Sequence, residues 1–206
     1  MSRLIRLANK LEFFLGYLVR MASKRSHRGV TRAEWLDMAL KSVCKKGIAG
    51  LTVQGLARSL GIAKAGFYWH FRDRDELLRQ LLDYWVHEIT EVITKNVEVL
   101  ALEPKSRLVR TAELILENDL TRYEIAIRQW ALEDREAARA VRQADRIRLD
   151  FVRGAFSELG FENDDLETRA MLFTCYHTWD SPMFGEISRK RRCELIAKRI
   201  ELLTKL

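Results

Sequence analysis

Proline occurs only twice in the 206 residues and glycine ten times, so interruptions of regular structure are scarce. An all-β sandwich or barrel, which needs a turn every few residues, is therefore excluded as the natural reading. The three cysteines, Cys44, Cys175 and Cys193, are far apart and odd in number. They offer neither a disulfide framework nor zinc-ligand spacing, and they fit a reducing, cytoplasmic setting. No run of about 18 uncharged apolar residues is present, which excludes a membrane-spanning helix. The four histidines, His27, His70, His87 and His177, do not cluster with one another or with the cysteines. His87 and Glu91 lie one helical turn apart and read as an exposed pair rather than as ligands. A glycine-rich phosphate loop, an HExxH helix and a GxSxG turn are all missing. The sequence thus gives no residues for an enzyme, a metal or a cofactor.

What is present is a globular composition, 48% hydrophobic and 32% charged. The net charge of +7 is unevenly placed. Residues 1–75 hold 15 Lys/Arg and 5 Asp/Glu, a net of +10; residues 76–206 hold 21 and 24, a net of −3. A basic front on a mildly acidic body suits a polyanion partner for the front alone. A merely solvated basic face would look the same by charge.

Helix punctuation is dense. Thr31 and Glu34 form a capping box, followed by Trp35, Leu36, Ala39, Leu40 and Val43 on one face and a stop at Gly47. Thr52 opens a second helix with the stripe Val53, Leu56, Ala57 and Leu60, ended by Gly61. A short third helix is predicted over 64–71. Asp73 and Glu76 cap a long amphipathic helix from Arg74 to near Leu100, and Pro104 suits the first turn of the next, which runs to about Glu117. Further helices are expected over 121–131, 134–159, 164–180 (from an Asp164–Glu167 box) and 186–204. The fold class is all-α.

The tight Gly61-Ile62 turn between two short helices is a helix-turn-helix pattern. Leu56, Ala57 and Leu60 give its first helix an inner face, against Gln54, Arg58 and Ser59 outside. Lys64, Ala65 and Gly66 keep the start of the second small or polar, as entry into a major groove requires. Tyr68, Trp69 and His70 follow, able to reach phosphates or bases. The stretch TVQGLARSLGIAKAGFYWHF, residues 52–71, resembles the DNA-binding segment of the tetracycline-repressor family of transcription regulators. The shared pattern is Thr52, Leu56-Ala57, Leu60-Gly61-Ile62, Tyr68-Trp69-His70-Phe71 and Arg74, and the likeness runs from about Gly29 to Ile89.

The resemblance implies roles for these positions. Thr31, Thr52 and Arg74 would face the phosphate backbone at helix starts. Tyr68 and His70 would contact phosphates, while Gln54, Lys64, Ala65, Gly66 and Trp69 would face the groove. Phe67 and Phe71 read as plugs of the small core. Two departures from the family pattern stand out. Ala63 replaces the usual hydroxyl cap, a loss of about 1 kcal/mol. Gly66, inside a short helix, adds up to about 1 kcal/mol of penalty. The reading helix should therefore be locally soft, with its phosphate contacts intact.

Residues 1–21 place Leu4, Leu7, Leu11, Phe14 and Leu18 on one helical face behind Arg3, Arg6 and Lys10. A translation start at Met21, or a helix packing on a partner, accounts for this better than a membrane-surface role. The expected organisation is an extension or basic arm over 1–28, a DNA-binding domain over 29–89 and a carboxy-terminal domain over 90–206. The resemblance implies that this last domain binds an effector and pairs with a second copy through helices 164–180 and 186–204. Trp85, Ile89, Tyr123, Trp130, Phe151, Phe173, Tyr176 and Trp179 are the candidate walls of its pocket. Each taken alone is an ordinary core residue; together they would suit a small apolar or aromatic effector. The basic run Arg189-Lys190-Arg191-Arg192 reads as a solvated face. The implied protein is a homodimeric regulator, most simply a repressor that an effector releases from a palindromic operator of double-stranded DNA. A helical enzyme with a vestigial reading head, and a membrane-surface module acting through residues 1–21, are the alternatives.

Overall fold

The computed structural model describes residues 29–183 and 186–205, except for the side chains at 88, 89 and 180–183. The amino-terminal arm, its amphipathic stretch and the Met21 start lie outside the described residues. Among those that are described, every regular element is helical. Helix α1 (Arg32–Lys46) starts at the expected box: Thr31 Oγ1 accepts from the Glu34 N–H at 3.3 Å, and the Glu34 carboxylate accepts from the Thr31 N–H at 2.7 Å. Helix α2 (Val53–Leu60) is capped by Thr52, which accepts from the Gly55 N–H at 3.1 Å. It ends at Gly61 with φ +70°, a left-handed conformation that glycine adopts without steric cost. A 3-10 helix follows over Lys64–Trp69, then α3 (Arg74–Tyr84), whose N-cap Asp73 accepts from the Glu76 N–H at 2.7 Å.

The single long helix expected from Arg74 to Leu100 is corrected by the structure. α3 passes into a π-helical turn over Trp85–Thr90, continues as the short α4 (Glu91–Thr94), and stops. Asn96 then starts α5 (Val97–Leu100), its side-chain oxygen accepting from the N–H groups of Glu98 and Val99. Cap chemistry at Asn96 and a β-branched run through Thr90, Val92, Ile93 and Thr94 thus override the amphipathic pattern.

The body comprises α6 (Pro104–Glu117), a 3-10 turn (Leu120–Tyr123), α7 (Glu124–Ala131), α8 (Arg135–Glu158), α9 (Asn163–Met183) and α10 (Arg189–Leu203). The start expected for α9 at an Asp164–Glu167 box is also corrected. The helix begins at Asn163, and the Glu167 carboxylate is taken instead by Arg153 of α8, at 2.7 and 2.8 Å. A cross-helix guanidinium pair outcompetes a local cap because it is bidentate and charge-assisted.

Two main cores hold the elements together. The first joins Trp35, Leu40, Phe67, Phe71, Leu77 and Leu81 of the front to Trp85, Tyr123, Ile127, Trp130 and the alanines 137, 140 and 144 of α8. The second packs α6, α8, α9 and α10 through Leu108, Val152, Phe156, Phe173, Ile196 and Ile200. Full burial of each large side chain stabilises by roughly 1.5–3 kcal/mol. Because the first core crosses residue 89, the front is packed onto α7 and α8 rather than hung from a linker.

Candidate nucleic-acid interface and adjacent cavity

The candidate interface is built from three helix starts and one 3-10 turn. Phe67 and Phe71 are buried and stacked at 5.1 Å between ring centroids, with the edge of Phe67 against Trp35 at 5.5 Å. With these two rings inside, residues on either side of Phe67 face outward. Lys64 and Ala65 are exposed, Tyr68 is 56% exposed and Trp69 is 86% exposed. An indole standing in water is an unfavourable use of apolar surface unless a partner covers it. The Lys64 ammonium lies 5.9 Å from the Tyr68 ring centroid, which holds the charge beside the phenol.

A cleft of about 820 Å³ brings Thr31, Gly66, Trp69 and His70 together. A His70 ring nitrogen lies 2.8 Å from the Val30 carbonyl, so the imidazole ties the chain entering α1 to the end of the reading turn. Gln54 and Thr52 are exposed on the neighbouring α2. Ala63 makes no side-chain cap, as the sequence indicates, and the turn it opens is 3-10 rather than α.

Arg74 is placed differently from its expected role. Its guanidinium donates to the Leu51 carbonyl at 3.1 Å and to the Ile48 carbonyl at 2.8 Å. It therefore braces the loop that ends in the Thr52 cap.

The second feature is a cavity of about 60 Å³ among the π turn, α4, α6, α7, α8 and α9. Of the eight aromatic and aliphatic candidates, Phe151 and Phe173 line it. Trp85 and Tyr123 are buried in the first core, and Trp130 lines a separate groove with Cys44 and Arg122. Tyr176 lies under the Arg199 guanidinium at 4.2 Å, and Trp179 faces Arg128 at 5.8 Å. The Ile89 side chain lies outside the described residues.

The rest of the wall is more polar than the sequence suggests. Thr90, Thr111, Thr174 and Thr178 contribute hydroxyls, while Glu124, Arg148 and His177 contribute ionisable groups. Glu124 is buried between two arginines, with Arg148 at 2.7 Å and Arg128 at 3.1 Å. The Arg148 contact is an ion pair too oblique to count as a hydrogen bond. Arg148 also donates to Thr90 Oγ1 at 3.1 Å and lies 5.4 Å from the Trp85 ring centroid. One guanidinium thus links the cavity, the π turn and α7. Burial works against the charge on Arg128, but its bonds to Asp145 and Glu124 outweigh that and hold its pKa above the ordinary value.

His177 is buried beside Phe173, 4.4 Å between centroids. Burial, aided by the positive charge of Arg199, lowers its pKa to about 3, so the imidazole is neutral at physiological pH. These polar groups were missed because each looks like an ordinary helix-surface residue. The usable signal was Phe173, Thr174, His177 and Thr178, spaced to share one face of a helix. Among the described residues no group of His, Cys, Asp and Glu could hold a metal.

Residues 36–81 match the family model described as "Bacterial regulatory proteins, tetR family". The HTH-type transcriptional regulator TtgR of Pseudomonas putida is 32% identical over 68 residues, which are 33% of this chain and 32% of that protein. The chain thus spans about a third of the length of the curated relatives it matches. A transcriptional regulator from Rhodococcus sp. Rha1 superposes with a TM-score of 0.67 at 16% identity, covering 84% of this chain and 96% of that one. FadR of Bacillus subtilis, solved in complex with stearoyl-CoA, superposes with a TM-score of 0.64 at 16% identity, covering 85% and 98%.

Proposed function

We propose that this chain, whose residues 36–81 match the tetR family model, is a regulator of that family: homodimeric, sequence-specific for DNA, and a repressor released from a palindromic operator by a small effector. It acts in the cytoplasm, as a binding protein and not as a catalyst. The observation that carries this reading is the strip Lys64, Tyr68 and Trp69, held outward by the buried Phe67 and Phe71 and flanked by the Thr31 and Thr52 caps. A cation, a phenol and an indole on one edge suit phosphate and base contact. Support for a dimer comes from α9, where Met171 and Leu172 are about half exposed, and from α10, where Leu202 is 73% exposed. Two such faces paired by a two-fold axis would bury this apolar surface. The reading heads would then enter successive major grooves about 34–36 Å apart. The effector site is the cavity around Phe151, Phe173 and Arg148. Its small volume argues for something much smaller than the stearoyl-CoA held by the Bacillus subtilis relative.

The test is fluorescence anisotropy with the DNA upstream of the protein's own coding region, across a range of salt concentrations. Tight binding that weakens steeply with salt is expected. Lys64→Ala should flatten the salt slope by about one unit, and Tyr68→Phe should weaken binding with the slope unchanged. Binding of equal strength to every duplex, or none at all, would overturn the reading.

A further inference from the structure

We propose that the cavity beside the π turn selects a small, uncharged molecule carrying a hydrogen-bonding oxygen or nitrogen, and rejects carboxylates, phosphates and ammonium groups. The inference rests on the regulatory reading above and names the ligand class of that same site.

Charge is the first argument. The ionisable groups that line the space are Glu124, Arg148 and His177, and those pressed behind them are Arg128, Asp145 and Arg199. Glu124 is held by two arginines, and Arg128 is shared with Asp145. These two acids and two bases cancel. His177 is neutral, and the Arg199 guanidinium lies over the Tyr176 ring. Arg199 lies behind the wall and outside the lining, so an ion entering this space would find each charge that lines it, Glu124 and Arg148, already engaged and would lose its hydration without replacement. An uncharged molecule meets no such penalty.

Hydroxyls are the second argument. Thr111 is only 4% exposed, and its Oγ1 has no hydrogen-bond partner; Thr174 Oγ1 is likewise buried and unpartnered. Both residues line the cavity. An unsatisfied buried hydroxyl costs free energy that a ligand atom bonding to it recovers. Ile93, Ile115, Val152, Phe151 and Phe173 supply an apolar remainder, so the fitting molecule has a compact hydrocarbon body and one or two polar atoms.

Size is the third. About 60 Å³ is well under the ~150 Å³ of a cavity that accepts benzene. The ligand is therefore short.

Four short probes separate charge from shape: ethanol, acetamide, acetate and ethylammonium. Each is titrated into the full chain with isoleucine and threonine methyl groups labelled for NMR. The two neutral probes should shift the Ile93 and Ile115 methyl signals and bind at least tenfold more tightly than either ion. Thr111→Val keeps the side-chain shape and removes the unpartnered hydroxyl, so the fold should survive. It should weaken acetamide three- to tenfold, and Thr174→Val provides a second check. Ions that bind as well as the neutral probes would overturn the proposal. So would probes that shift only surface methyls or fail to bind, or affinities that both threonine variants leave unaltered. Operator binding is measured on the same sample. Intact operator binding with an unoccupied cavity would sink the ligand class alone. Cavity occupancy without operator binding would sink the regulatory reading alone.

Discussion

At His177, burial decides the charge, and this has a consequence for stability. Its folded pKa of about 3 lies below the ordinary 6.5. Between those values the unfolded chain binds a proton that the folded chain refuses, so stability is full above about pH 6.5 and falls as pH drops toward 3. The fall amounts to about 1.4 kcal/mol per pH unit from this one group. Urea midpoints measured at pH 7.5 and 5.5 should therefore differ less in His177→Asn than in the parent chain. Identical differences would show that the imidazole is protonated without hindrance in the fold. Arg74 makes a related point about single residues. Its position in the sequence suits a phosphate contact, yet its guanidinium reaches two carbonyls of the loop before α2.

At the scale of elements, the reading turn is the weakly determined one. It lacks a side-chain cap, contains Gly66, and settles as a 3-10 helix of six residues. Restoring a hydroxyl with Ala63→Ser should stabilise its first turn by about 1 kcal/mol. Amide exchange at Gly66, Phe67 and Tyr68 should slow by about fivefold, and operator binding should tighten because less ordering remains to be done on the DNA. Unchanged exchange at all three amides would mean that packing of Phe67 and Phe71 alone holds the turn. The π turn at Trp85–Thr90 is the other irregular element. It joins α3, which leaves the reading face, to a hydroxyl held by Arg148 in the cavity wall. A local rewinding there would move both ends at once.

On the scale of the whole molecule, the first core makes the front and the body one packed unit. A shift in the body is therefore felt at the front, and binding at the two proposed sites would be coupled reciprocally. Among the large apolar side chains left uncovered are Met171, Leu172 and Trp179 of α9. Leu172→Arg places a charge among them and leaves the buried Ala170 and Phe173 untouched. Sedimentation velocity should show a dimer for the parent chain and a monomer for the variant. The variant should also lose operator affinity by a large factor, since one reading head would remain per particle. A variant that stays dimeric would place the interface elsewhere.

How much of this was legible from residues alone depended on the range of the interaction. The helix starts at Thr31, Thr52 and Asp73, the Gly61 stop, the missing cap at Ala63 and the inward Phe67 and Phe71 are local features. Each is set by a hydrogen bond or a period within about four residues, so the helix order of the front could be read from local sequence alone, together with its resemblance to the tetR family model. The wall of the cavity was decided by tertiary structure. Aromatic content pointed to Trp85, Tyr123 and Trp130, but these rings fill the contact between front and body, where large apolar area is worth most. The space that remains is edged by Thr90, Thr111, Glu124, Arg148 and His177, which come from five separate elements. Spacing along one helix cannot reveal a site assembled from five. Glu124 in particular is tolerated inside only because Arg128 and Arg148 arrive from its own helix and from the next to satisfy its charge.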